Sequence, residues 1–425
     1  MSPKLFKMLN NKELSKEQII KDIVAGIIVA IIALPLSIAL AISSGVSPEK
    51  GIITAIFAGG LISILGGSKV QIGGPTGAFV VIVYGIVQQY GMTGLIISTI
   101  MAGIMLILMG LLRFGSLIKY VPKTVTVGFT SGIAITLLVT QIKDFLGLNI
   151  KNAPAECIGK ITSYIQTMDT FDFMAFIVGL ACILVMIYWP KVNKSIPGSI
   201  IALVIATAVV KVFNIQIDTI GSVYSNISSA IPMPTIPKVD LNTIKELVKP
   251  ALTIALLAGI ESLLSCVVSD KMIDDKHDSN MELIAQGAGN IVSALFGGIP
   301  ATGAIARTAA NVKNEGRSPI SGIIHAIMLL LIMVILMPLA KMIPMTVLSA
   351  ILIVVSYNMG EWGEFKEMLS LPKGDIIVLV ATFVLTIIFD LVVAIAVGMA
   401  LHMLFTMINR LSSKEEEEIE LENAV

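Results

Sequence analysis

The chain has 425 residues, 56% hydrophobic and 14% charged, with a mean hydropathy of +0.92. A soluble domain carries nearer one quarter charged residues, so an ordinary water-soluble protein is excluded. The formal net charge of +0 offers no basic surface for a nucleic acid. Apolar runs of about 18 or more residues recur from residue 23 to residue 408, the pattern of an all-α polytopic membrane protein. No window alternates as a membrane barrel would. Cys157, Cys182 and Cys266 are scattered, with neither metal spacing nor pairing logic.

In chain order, residues 1–22 form a cytoplasmic N-terminal segment, with Lys4, Lys7, Lys12, Lys16 and Lys21 predicted on an interfacial helix over 4–22. No small-residue cleavage site follows the first apolar run, which reads as a retained helix. Segment 1 is predicted at 23–44, interrupted by Pro35, and segment 2 at 51–66. Segment 3 is predicted at 76–90, segment 4 at 94–112 and segment 5 at 123–142. A polar connection over 143–170 leads to segments 6 (171–189) and 7 (196–213). A second, over 214–246, is expected outside the cell and joins two halves. Segments 8 to 14 are predicted at 247–268, 281–296, 302–312, 319–340, 344–358, 374–389 and 391–409. Asp390 falls at a solvated turn, and residues 410–425 are an acidic cytoplasmic tail.

One motif occurs twice. Gly73-Gly74-Pro75-Thr76-Gly77-Ala78-Phe79 is echoed by Gly297-Gly298-Ile299-Pro300-Ala301-Thr302-Gly303-Ala304-Ile305. Val121-Pro122 and Ile343-Pro344 then follow at similar distances downstream. Seven segments is an odd number, so the halves 23–213 and 247–409 are inverted repeats, as in many secondary transporters. The predicted segment 3 spans roughly 22 Å as helix, short of a hydrocarbon core of about 30 Å. Segments 3 and 10 are therefore half-helices completed by extended chain. With the N-terminus inside, cytoplasmic segments hold roughly twice as many Lys and Arg as outer ones, which places both termini in the cytoplasm of a cell-membrane protein.

Irregular backbone at membrane depth is tolerated where it is buried in protein or lines a cavity. A helix starting there points unpaired N–H groups and a partial positive charge into that space. Two such starts, at Thr76, Gly77 and Ala78 and at Ala301, Thr302, Gly303 and Ala304, make a site for a small anion without a full buried charge. The alternative is small-residue helix packing. Glu261 lies inside segment 8, where an acid costs roughly 2.5 kcal/mol or more unless its surroundings are polar. A carboxylate beside an anion site repels the substrate unless a cation comes too. Glu261, with Ser265 one turn on, is thus the candidate for a co-transported Na⁺ or H⁺; a structural acid is the alternative. Glu261 is a metal ligand only if that ion is Na⁺, and no other cofactor is expected. Arg307 adds positive potential or pairs with an acid. Gln286 and Asn290 read as interhelical hydrogen bonds, and His325 and His402 as packed residues. No nucleophile–base–orienter set argues for an enzyme.

The sequence resembles the sulfate permease (SulP) family of anion transporters over roughly residues 20–410. The resemblance rests on Asp22-Ile23-Val24-Ala25-Gly26 with Ala33-Leu34-Pro35, on Gln71 through Ala78, on Gly128-Phe129-Thr130-Ser131-Gly132, on Ile260 through Leu264, and on Gly297 through Asn311 continuing to Pro319. It implies the fourteen-segment fold shared with uracil permeases, with segments 1–4 and 8–11 as a core and 5–7 and 12–14 as a gate. It implies a substrate pocket between segments 3 and 10, completed by segment 1 near Leu36 and Leu40. Family members move sulfate, bicarbonate, chloride or dicarboxylates, often with Na⁺ or H⁺, and commonly form dimers. A small anion, membrane lipids and a second copy of the chain are the partners implied. The family's usual C-terminal STAS domain has no counterpart before Val425. Three other readings remain open: an uncoupled exchanger, a channel of the same fold and, less favoured, a nucleobase permease.

Overall fold

The computed structural model describes residues 2–116, 121–150, 153–193, 196–224, 227–238, 240–389 and 393–408. Asp390 and the tail 410–425 lie outside them. The described chain is helical apart from two short strands, and eight of its helices are long and apolar enough to cross a membrane.

The N-terminal segment is two helices, not one. Helix α1 (Lys4–Asn10) stops at Asn11, and α2 (Lys16–Ser43) starts from Ser15, whose hydroxyl accepts the Gln18 amide. Lys16 and Lys21 thus belong to the first membrane helix. Pro35 sits inside α2 without ending it. After α3 (Pro48–Leu65) the chain runs extended through strand β1 (Gly73–Gly74), a 3₁₀ turn at Gly77–Phe79 and helix α4 (Val80–Leu111). The last covers the predicted segments 3 and 4. They meet at Gly91, whose φ of 65° and ψ of −169° break the helical path, a conformation glycine takes at least cost.

Helix α5 (Lys123–Phe145) is followed by a connection that contains α6 (Cys157–Gln166). Helices α7 (Phe173–Val192) and α8 (Gly198–Val212) then form a hairpin. The long connection after α8 carries the short α9 (Ile220–Val223), and α10 begins at Leu241, earlier than the predicted segment 8, because Asp240 accepts the Thr243 amide at its start. Helix α11 (Ser279–Leu295), strand β2 (Thr302–Gly303), α12 (Ile305–Lys313), α13 (Ile320–Ala340) and α14 (Met345–Met359) follow. Helix α15 (Trp362–Met368) is not foreshadowed by the apolar pattern. Helices α16 (Lys373–Ile388) and α17 (Val393–Ile408) close the chain.

The helices pack as two groups. In one, α2, α3, α4, α10, α11, α12 and α13 surround the two strands; in the other, α5, α7, α8, α14 and α16 pack together. Fully buried Asp22 braces the first group: its Oδ1 accepts the Arg317 amide at 2.7 Å and the Ser318 amide at 3.1 Å, across the turn before α13. Strands β1 and β2 pair antiparallel, with Gly73 opposite Gly303 and Gly74 opposite Thr302. The 3₁₀ turn and α12 therefore leave the crossing at opposite ends, with their first amides turned back toward it.

Candidate substrate and coupling site

The helices begin later than the motif suggested. Thr76 is extended (φ −129°, ψ 161°) and so is Ala304 (φ −96°, ψ 109°), and neither helix start has a side-chain cap. Strand pairing holds Thr302 and Gly303 out of the helical path, and the Ala304 amide is held by the Ile72 carbonyl. Thr76 and Thr302 consequently do not cap the helices. The first helical amides, from Gly77 on one side and Ile305 on the other, have no intrahelical acceptor and form the electropositive ends of the crossing.

Each extended stretch is held by side chains. Asn290 clamps the second: its Nδ2 donates to the Ala301 carbonyl and its Oδ1 accepts the Ala301 amide, both at 2.8 Å. Thr54 accepts the Ile299 amide at 2.7 Å, and Ser293 donates to the Ile299 carbonyl at 3.0 Å. The first stretch is held by one face of α12. Thr308 accepts the Ile72 amide at 3.1 Å, Asn311 donates to the Val70 carbonyl at 2.9 Å, and Arg307 Nη2 donates to the Pro75 carbonyl at 2.8 Å. Arg307 Nη1 comes close against Gly74, where an added Cβ would collide with it. Only glycine admits this approach.

The acid lies at the same place. Thr76 Oγ1 donates to Glu261 Oε2 at 3.1 Å, and Arg307 sits on the carbonyl of the preceding Pro75. Hydroxyl, carboxylate and guanidinium thus gather around the beginning of the first half-helix, although they come from three separate elements. Thr302, the repeat counterpart of Thr76, donates instead to the Ala258 carbonyl at 2.9 Å. Ser265 is buried and lies 3.5 Å from the Thr308 hydroxyl, so it supports the α12 contact and makes no hydrogen bond to Glu261. Gly77, Ala78, Ala301 and Gly303 line the crossing, all buried. Leu40 is buried in the apolar cluster that includes Val80 and Leu137, and Leu36 packs at its border and against the cluster of α7, α8 and α14.

A fully buried acid near the crossing was missed in the sequence. Glu282, fully buried, accepts the Gly67 amide at 2.9 Å, Gln71 Nε2 at 3.2 Å and Gln286 Nε2 at 2.9 Å. Gln286 thus bonds within its own helix rather than to a neighbouring one. Gln71 also donates to the Ser262 carbonyl, beside Glu261. The available signal was the Glu282–Gln286 spacing of one helical turn within an apolar run. His325 is fully buried, as a packed residue would be, but neither ring nitrogen has a partner among the described residues.

A profile described as the sulfate permease family matches residues 19–382, most of the chain. The chain belongs to the sulfate permease family. It is similar to YvdB of Bacillus subtilis, with 44% identity over 364 residues, 85% of this chain and 69% of the relative. It is similar to the bicarbonate transporter BicA of a Picosynechococcus species, with 30% identity over 394 residues, 89% of this chain and 68% of that one. The solved transmembrane domain of a cyanobacterial BicA superposes with a TM-score of 0.79 at 26% identity, covering 91% of this chain and 98% of the domain. As a member of the sulfate permease family, the chain is a membrane protein of an anion-transporter family, not an enzyme.

Proposed function

We propose that the protein is a secondary transporter of a small oxyanion (sulfate, bicarbonate or a dicarboxylate), coupled to Na⁺ or H⁺. The observation that carries this reading is the meeting of Thr76, Glu261 and the helix starts at one crossing. The anion binds against the first free amides, from Gly77 on one side and Ile305 on the other, with Thr76, Ala78 and Ala301 through Ala304 lining the pocket. Leu36 and Leu40 bound the pocket from α2. Arg307 supplies positive potential from behind while holding the Pro75 carbonyl. Glu261 takes the co-transported ion: as an acid it binds H⁺, and its carboxylate with the Thr76 oxygen offers hard oxygen ligands to Na⁺. An ion at Glu261 removes the negative charge that would oppose the anion. Transport follows from the first helix group moving as a core against the second as a gate.

The Arg307 guanidinium, held on the Pro75 carbonyl next to the Thr76 that meets Glu261, favours a second reading. If Arg307 already compensates the acid, the anion needs no accompanying cation and the protein is an exchanger. Uptake into proteoliposomes decides between them. Radiolabelled sulfate, bicarbonate and a dicarboxylate are compared with and without Na⁺ or H⁺ gradients, for the parent and Glu261→Gln. Gradient-driven uptake of one anion, lost in the variant, is the result expected. Uptake indifferent to both gradients and to the substitution sinks the coupling role and leaves exchange.

A further inference from the structure

A groove of about 460 Å³ runs along the seam between the two helix groups, with α2 and α13 on one side and α8 on the other. Pro35, Leu203, Leu336 and Ile343 are typical of its lining. Two polar side chains interrupt that lining, Thr207 and Lys211, one turn apart on α8. The Thr207 hydroxyl is buried without a partner, and the exposed Lys211 ammonium has no hydrogen bond or ion pair among the described residues.

We propose that this groove is a binding site for one anionic phospholipid from the leaflet at the C-terminal end of α8. Three features fit that occupant. From Ile200 to Lys211 the groove follows α8 for roughly 16 Å, about half of a hydrocarbon core near 30 Å, which is the depth of one leaflet. Lys211 stands at the end of the helix, where a long basic side chain reaches the headgroup level and meets a phosphate. Thr207 lies one turn deeper, roughly 6 Å, where the ester carbonyls of the glycerol unit follow the phosphate. Turned from the groove wall toward the lipid, the hydroxyl finds in the ester the acceptor it lacks, since a polar group left unpaired in hydrocarbon is costly. The acyl chain then fills the apolar remainder. A lipid seated there is wedged between the groups, so its occupancy biases their relative position. That consequence rests on the transport reading; the binding does not.

The test uses the full chain in vesicles containing a phosphatidylglycerol with a photoreactive group on its acyl chain, followed by peptide mapping. Adducts should concentrate on residues 200–211 and 332–343 relative to α7, an equally apolar helix. The double variant Thr207→Val, Lys211→Gln should lower groove adducts about tenfold while those on α7 stay constant. On the unaltered protein, unlabelled phosphatidylglycerol should compete better than phosphatidylcholine, a readout independent of any variant's folding. Adducts spread evenly over all lipid-facing helices, or equal competition by the two lipids, would overturn the proposal. Because no transport is measured, failure of the lipid site and failure of the anion-transport reading are separate results.

Discussion

The two extended stretches that meet at the crossing share a motif, yet they are folded and held differently: Gly77 opens a 3₁₀ turn, whereas its counterpart Gly303 lies in a strand. The second, residues 299–301, is fixed by Thr54, Asn290 and Ser293, all from helices beside it. Its threonine is tied to the Ala258 carbonyl. The first, residues 70–75, is fixed by Arg307, Thr308 and Asn311, all from the half-helix that the second stretch starts. Its threonine is left to meet a carboxylate. The repeat builds the frame, and the unmatched side chains specialise it. One stretch is a rigid support, and the other, in the function proposed above, carries the chemistry.

That asymmetry can be broken or sharpened by substitution, and the largest effect is expected on the supporting side. Asn290→Ala leaves the Ala301 amide and carbonyl buried without partners, at about 1–3 kcal/mol each. Thermal unfolding in detergent should show a fall in Tm larger than for any other single change considered, whatever anion is present. An unchanged Tm would mean that the clamp carries no weight. Arg307→Met should come next. It frees one carbonyl, a loss of about 1–3 kcal/mol, and takes the positive charge from beside Glu261, so uptake should fall to background. Arg307→Lys should restore stability only in part, since an ammonium lacks the planar fork of guanidinium.

The sharpest comparison is between the two threonines. Thr76→Val should lower apparent anion affinity up to about tenfold with little change in Tm, whereas Thr302→Val should cost about 0.5–1.5 kcal/mol and leave transport near the parental level. Equal effects on transport would mean that the halves act symmetrically. The smallest effect is expected far from the crossing, where α1 is fastened by Lys4 to Asp275 at 3.0 Å. Burial raises the Asp275 carboxyl, but the Lys276 amide, Lys4 and Lys69 outweigh it and hold it below its ordinary value. A depressed carboxyl gives stability that is complete at neutral pH and is lost as pH falls below about 4. Hydrogen exchange of α1 should therefore rise in that acidic range, and Lys4→Ala should remove most of this pH dependence.

Much of the frame was legible in the chain itself. Apolar length identified a helical membrane protein and the approximate places of its long apolar helices, because hydrocarbon leaves the backbone few alternatives. The doubled Gly-Gly…Pro…Thr-Gly-Ala stretch announced two interrupted helices, and Glu261 stood out because an acid in an apolar run needs a reason. Boundaries set by polar side chains were less visible: α10 starts at Leu241 because Asp240 caps it, and α1 ends before α2 although both are rich in lysine. Only the tertiary structure decided which side chains close the crossing. Antiparallel pairing kept Thr302 out of the helix, Thr76 stayed extended before its turn, one threonine met Glu261 and the other the Ala258 carbonyl, and Arg307 met the Pro75 carbonyl. Those choices depend on contacts between residues some 40 to 240 positions apart, and local pattern carries no information about them.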